Sequence, residues 1–147
     1  MSIAIGCDEA GYELKEQLKN YLCDKGYVVE DFGVYNTQPV LYPDIAVKVA
    51  KSIASGKNER GILICGTGIG MAITANKVRG VRAAVCHDPY SAQRARKSNN
   101  AQIISLGARI VGGELAKLLL DTWLDSEFQG GGSTEKINRI SEYEKQF

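Results

Sequence analysis

The chain is poor in the residues that build metal and disulfide sites. It has one histidine, His87, and four cysteines, Cys7, Cys23, Cys65 and Cys86, with no CxxC pair among its 147 residues. That spacing excludes the usual zinc-ligand patterns, and no resolving cysteine lies near another in sequence, which argues against a redox sensor. A charge excess of one sign is also lacking. Eighteen Lys and Arg against seventeen Asp and Glu leave a net +1, which predicts neither a nucleic-acid partner nor an anionic membrane. No apolar run approaches the ~18 residues that a bilayer span requires. The opening residues Met1-Ser2-Ile3-Ala4-Ile5-Gly6 have no basic region and meet Asp8 and Glu9 too soon for a secretory core. The expectation is a cytoplasmic chain with reduced thiols, because at least three of the cysteines end or follow apolar strand candidates.

What is present is an ordinary globular balance, 44% hydrophobic and 24% charged, in a length that fits one domain over residues 1–147. Short β-rich runs alternate with amphipathic ones. Residues 2–7, 27–32, 61–65, 81–86 and 102–106 read as strands. Residues 10–24, 44–55, 71–78, 113–125 and a segment opened by Asp88-Pro89 read as helices. Pro39 and Pro43 mark a loop. Gln129-Gly130-Gly131-Gly132-Ser133 links to a final polar helix, 134–146, so that 129–147 forms a C-terminal extension. The continuous apolar run Gly61-Ile62-Leu63-Ile64-Cys65 suits a central parallel strand covered on both faces. The predicted fold is a Rossmann-like three-layer α/β/α sandwich around a five-stranded parallel sheet. In such sheets ligands sit beyond the carboxyl ends of the strands, at a switch point.

The strongest local feature at that edge is Cys65-Gly66-Thr67-Gly68-Ile69-Gly70. Its glycines allow a tight turn and close approach of a ligand, and amides at the start of the next helix favour negative charge. Such a loop suits a phosphate or a developing oxyanion, and the same field would favour a thiolate at Cys65. A tight turn beside an inert buried cysteine is the plain alternative. No Gly-Lys-Ser/Thr follows, which excludes a Walker loop, and GxGxxG is not completed. Asp8 and Glu9 at the end of strand one suit sugar hydroxyls, proton transfer or a metal, or else simple capping of a helix. His87 follows strand four, where a lone histidine is more often a capping or surface residue. Arg94, Arg96 and Lys97 read as a solvated helix face. Arg109, after strand five, is the better anion ligand. Tyr42 stands in the loop at the active edge, and Met71 and Trp123 read as core.

The strings Gly6-Cys7-Asp8-Glu9-Ala10-Gly11-Tyr12, Tyr42-Pro43-Asp44, the Cys65 to Gly70 loop, Ala75-Asn76-Lys77, Pro89-Tyr90-Ser91-Ala92 and Leu106-Gly107-Ala108-Arg109-Ile110-Val111-Gly112 resemble type B ribose-5-phosphate isomerase. They resemble the related galactose-6-phosphate isomerase subunits more weakly. The likeness covers nearly the whole chain in order. It implies an aldose–ketose isomerase that acts on a small sugar or sugar phosphate through a cis-enediolate, without cofactor or metal. It also implies a homodimer, or a dimer of dimers, with a shared active site. Cys65 matches the catalytic base, and the amides of Gly66, Gly68, Ile69 and Gly70 match an oxyanion hole. Thr67 matches a residue of ring opening, and Asp8 and Tyr42 match substrate contacts. Asn99 matches a residue given by the neighbouring subunit, and Arg109 a phosphate ligand.

The chain departs from that pattern where the family carries phosphate and ring-opening residues. Glu9 and Ser98 stand where histidines are usual, Gly132 where an arginine is, and Lys136 where a second arginine is. Arginine to lysine is not neutral at a bidentate phosphate site. Three readings follow. The substrate is still ribose 5-phosphate, held by Arg109, Lys136 and Arg139. Alternatively it is a tetrose phosphate such as erythrulose 4-phosphate, which has no need of the usual ring opening. In the third reading it is an unphosphorylated sugar gripped by Asp8 and Glu9. His87 is a candidate stand-in for the ring opener, and a non-catalytic sugar-binding protein is the reading from another class.

Overall fold

The computed structural model describes all of Met1–Phe147. Strands β1 (Ser2–Cys7), β2 (Val28–Asp31), β3 (Arg60–Cys65), β4 (Ala83–Val85) and β5 (Ile103–Gly107) form one parallel sheet in the order β2-β1-β3-β5-β4. Six helices accompany it: α1 (Tyr12–Asp24), α2 (Tyr42–Ala54), α3 (Ile69–Ala75), α4 (Pro89–Lys97), α5 (Gly113–Leu124) and α6 (Gly132–Glu144). Helix α5 packs against α1 and α4 on one face, while α2 packs against α3 on the other. The three-layer fold is therefore as the alternation of apolar patterns predicts. Successive strands reverse direction of placement between β1 and β3, so the switch point lies beyond Cys7 and Cys65. The backbone N–H of Asp8 donates to the Ile64 carbonyl at 3.2 Å and ties the two strand ends together.

The core follows from burial on both faces. Every residue of β3 and β5 is buried, as are Ile3 to Cys7 of β1, and Met71 and Trp123 are fully enclosed. Helix α1 contributes Leu14, Leu18 and Leu22, and with them Lys15, which is 0% exposed. An ammonium has three donors and each must be met when buried. Lys15 Nζ reaches Asp31 Oδ1 at 2.9 Å, Asp31 Oδ2 at 2.8 Å and the Val34 carbonyl at 2.6 Å. Burial pushes the Asp31 carboxyl upward. Lys15, the Gly33 N–H and Lys19 outweigh that and hold it below the usual carboxylate range. The clamp fixes the segment after β2 against α1.

Several boundaries differ from the sequence expectation for local reasons. Tyr42 is not in a loop but opens α2, because a proline in the first turn is preset for a helix. Residues 9–11 form a short 3-10 turn before α1. Helix α3 begins at Ile69 rather than at 71, and α6 begins inside the glycine run at Gly132. Strand β4 is only three residues, and its outer edge is covered at Ala83 by a side chain. Asn76 accepts from the Ala83 N–H at 2.8 Å and donates to the Ala83 carbonyl at 2.9 Å. Helix α6 is held at the amino-terminal edge of the sheet. The Gln129 N–H bonds the Lys97 carbonyl, the Gly80 N–H bonds Glu144, and Arg79 bonds the Phe147 carbonyl.

Candidate active site

The carboxyl edge at the switch point is built around Cys65. Its side chain is 6% exposed, and the Gly68 N–H donates to its Sγ at 3.1 Å. The turn that allows this needs glycine at 68, where φ is +77°. A Cβ there would also lie 2.9 Å from the Leu106 backbone. Ser105 Oγ donates to the Gly68 carbonyl at 2.7 Å and fixes the turn from below. The loop is further joined to the segment after β5, since the Ala108 N–H bonds the Cys65 carbonyl and the Arg109 N–H bonds the Gly66 carbonyl. Arg109 folds back so that Nη1 lies 3.1 Å from where a Gly66 side chain would begin. Thr67 Oγ1 accepts the Ile69 N–H at 3.3 Å. Tyr42, at the start of α2, covers Gly70 so closely that a Cβ at Gly70 would collide with its ring and hydroxyl.

Asp8 lies across the switch point from this loop. Its Oδ1 accepts the N–H groups of Ala10 at 3.0 Å and Gly11 at 3.2 Å, so it caps the 3-10 turn. Burial raises its carboxyl above the ordinary range, aided by the nearby Glu9 charge and opposed by the Gly11 and Ala10 N–H groups and by Arg109. Glu9 neither caps a helix nor shares that role. Its Oε2 accepts the Val40 N–H at 3.1 Å and ties the segment before α2 to the 3-10 turn that follows β1. His87 stands at the same edge. Its Nε2 accepts the Gly107 N–H at 2.9 Å, which places the ring proton on Nδ1. Within one chain this histidine therefore offers a donor, and its basic nitrogen is already engaged.

The structure thus brings Asp8, Tyr42, Cys65 to Gly70, His87 and Arg109 to one edge, with Glu9 beside them. It does not bring Ser98, Asn99 or Lys136 there. Helix α4 starts at the carboxyl edge and descends for nine residues, roughly 13 Å, so Ser98 and Asn99 lie at its far end beside the start of β5. Lys136 lies on α6 with Gly132, Glu135 and Arg139 around a depression of about 430 Å³, also remote from Cys65. The solvated face expected for Arg94, Arg96 and Lys97 is not formed. Arg96 is 7% exposed and bonds Asn100 Oδ1 and the Ala101 carbonyl, and burial, with Arg60 and Arg82 nearby, lowers it to about 10. Arg94 is half-buried and donates Nε–H to Ser98 Oγ at 2.9 Å, and Nη2–H to the same oxygen. Lys15 was also invisible as a buried group, although its position with Leu18 and Leu22 on one helical face was the available signal.

A cysteine sulfur above backbone donors, beside a carboxylate and a phenol, can move a proton next to a carbonyl and stabilise the charge that results. Comparison with known proteins agrees with that chemistry. The ribose/galactose isomerase family model matches residues 3–140. The D-erythrulose-4-phosphate isomerase of Pectobacterium atrosepticum is 57% identical over 147 residues, covering 99% of this chain and 97% of the relative. A protein of Listeria innocua named ribose-5-P isomerase B is also 57% identical, over 145 residues, covering 99% and 98%. The solved ribose-5-phosphate isomerase B of Clostridium thermocellum superposes with a TM-score of 0.98 at 49% identity, covering 99% of both chains. Agreement in sequence, fold and the architecture of the Cys65 edge leads to one assignment: the chain belongs to the ribose/galactose isomerase family of aldose–ketose isomerases.

Proposed function

We propose that residues 1–147 work as one isomerase unit that interconverts the aldose and ketose forms of a short sugar phosphate of the ribose 5-phosphate type. The observation that carries this reading is the Cys65 sulfur held by the Gly68 N–H at the end of the central strand. Cys65, as thiolate, takes the proton from C2 of the open aldose. The C–H electron pair forms the C1=C2 bond and the carbonyl pair moves to O1, giving a cis-enediolate. A proton passes from O2 to O1. The Cys65 thiol then returns its proton to C1, and O2 becomes the ketose carbonyl. Of the loop amides, Gly68 is given to the Cys65 sulfur and Ile69 to Thr67 Oγ1, so the Gly66 and Gly70 N–H groups are the ones free to stabilise the enediolate oxygens. Gly68 and Ile69 join them when substrate displaces those contacts, and Asp8, Thr67 and Tyr42 orient the hydroxyls. Arg109 holds the anionic end.

A two-copy site completes this reading. Ser98, Asn99 and Lys136 stand at the opposite edge of their own sheet, so they serve the Cys65 of a second copy in a homodimer or a dimer of dimers. All four cysteines are free thiols, which suits the reducing cytoplasm. A second substrate reading has its own observation. Ser98 stands at the ring-opening position and its oxygen is occupied by Arg94. A tetrose phosphate, which presents an open chain, needs no ring-opening base there, and relatives at equal identity carry both substrate names.

The test is solvent-deuterium incorporation at C2, followed by NMR, over ribose 5-phosphate, erythrose 4-phosphate and their unphosphorylated counterparts. Exchange on a phosphorylated sugar is the expected result, and the better of the two phosphates decides between the readings. Absence of exchange on every sugar would leave a binding protein in place of an enzyme.

A further inference from the structure

One groove on the chain lies away from Cys65. It runs along the edge of β4, has a volume of about 440 Å³, and is walled by Asn76, Arg82, Ser91, Arg94 and Asn99, with Ala83 to Cys86 as its floor. Its twelve lining residues include two guanidinium groups and no carboxylate. Arg82 gives its Nε–H to the Asn100 carbonyl, and Arg94 gives two N–H groups to Ser98 Oγ. Neither arginine is in an ion pair with Asp or Glu. Guanidinium has five donors, so three on Arg94 remain for something outside these bonds. Ser98 is equally telling. A hydroxyl has two lone pairs and one proton, and Arg94 takes both acceptor positions. The Ser98 proton is then left to donate, next to a cation, toward an acceptor oxygen.

We propose that Arg94, directly and through Ser98, binds the anionic end of the sugar phosphate whose carbonyl is placed at Cys65 of a second copy. This rests on the two-copy site proposed above. The chemistry chooses the ligand: guanidinium donors in excess, with no carboxylate in the lining, suit a phosphate monoester, with Asn99 available to a hydroxyl and the apolar floor of β4 to the carbon chain. Position chooses the partner. Arg94 and Ser98 lie on the descending half of α4, with Ser98 at the amino-terminal edge of the sheet, so a ligand bound by the pair is separated from its own Cys65 by the depth of the sheet. Arg94 would then be the specificity-determining residue that restores a cation to a site in which Gly132 and Lys136 replace two arginines of the resembled pattern.

The experiment compares wild type with Arg94→Ala, Arg94→Gln and Arg94→Lys in the full chain. Calorimetric titration with inorganic phosphate is done first, because it reads the groove without turnover. Phosphate affinity should fall about 10- to 100-fold in Arg94→Ala and Arg94→Gln and recover in part in Arg94→Lys. KM for the phosphorylated substrate should rise by a similar factor while kcat stays within a few-fold, and KM for an unphosphorylated aldose should not move. Mixing Arg94→Ala with Cys65→Ala protomers then assigns the copy. Each mixed dimer would hold one site with both residues intact, restoring roughly a quarter of the wild-type sites in a random mixture. Unchanged phosphate affinity and KM in Arg94→Gln would overturn the proposal, and so would the absence of restoration on mixing. Either failure leaves the isomerase reading intact if wild type still exchanges deuterium at C2. Wild type without exchange, but with phosphate affinity that depends on Arg94, would keep the groove as an anion site and remove the enzyme reading alone.

Discussion

Two turns of the same kind stand side by side at the switch point. Each leaves a buried strand that ends in cysteine and enters a helical segment, β1 through Asp8 and β3 through Gly66 to Gly68. In the first, the amides at the helical start are used by the chain itself, since Asp8 Oδ1 accepts the N–H groups of Ala10 and Gly11. In the second, glycines replace the capping carboxylate. One amide is given to the Cys65 sulfur, and no side-chain carboxylate takes the others. The cysteines differ accordingly. Cys7 is fully enclosed, and burial pushes its thiol up to about 12 despite the nearby Lys15. Cys65 keeps a small opening to solvent and a donor on its sulfur. The same supersecondary unit is thus closed on itself at β1 and left open to a ligand at β3.

The largest break in that contrast is Cys65→Ala. Loss of the base should lower C2 deuterium exchange by about 10²- to 10⁴-fold, with circular dichroism and thermal unfolding almost unchanged. An equal loss in Cys7→Ala would erase the distinction between the two turns. Next is Gly68→Ala, which puts a side chain at φ +77° and against the Leu106 backbone. It should cost about 1–3 kcal/mol of unfolding free energy and displace the sulfur contact, so activity falls further than stability alone explains. Asp8→Ala should cost about 1 kcal/mol through the lost cap, measured by urea unfolding. Asp8→Asn should recover most of that while leaving activity low, provided the carboxylate charge has a role in substrate handling.

The smallest effect sharpens the comparison through pH. Cys7 ionises at about 12 in the fold and near its ordinary value of 9.0 when unfolded. Between those values the native state holds a proton that the unfolded state has lost, so stability from this group falls as pH rises. The slope is at most about 1.4 kcal/mol per pH unit. Wild type should therefore lose stability more steeply than Cys7→Ala above pH 9, and parallel curves would mean that Cys7 is not the group responsible. Near neutral pH, iodoacetamide should label exposed Cys23 and be excluded from Cys7 and from Cys86, which burial raises to about 11. Labelling of Cys65 should be slowed by sugar phosphate.

Much of the scaffold was legible because its signals are local. The apolar run ending at Cys65 and the alternation of periods define a parallel sheet, and glycines after a buried strand mark the edge where a ligand sits. What escaped detection depends on partners distant in sequence. Arg96 is the exception: its partners, Asn100 Oδ1 and the Ala101 carbonyl, lie only four and five residues on, and the turn after α4 brings them back over its charge and permits its burial. Glu9 was open between ligand and cap, whereas its acceptor is spent on an amide 31 residues away. Pro43 marks a loop by its type alone, and only its place in the first turn of α2 puts Tyr42 on a helix. Ser98 and Asn99 carry family resemblance as site residues, yet only the direction of α4 shows that their own Cys65 is out of reach.

The side chain that covers β4 sets a rule for how this molecule can meet others. An unpaired strand edge invites another chain to continue the sheet, a liability shared by enzymes and fibrils alike. Asn76 answers both the donor and the acceptor of Ala83 with an amide of its own, so that edge is occupied by a counterfeit strand one residue long. At Ala83 a strand from another chain would have to displace that amide first, so contact there falls to side chains and helices, which can be matched to one partner, and not to backbone, which matches any.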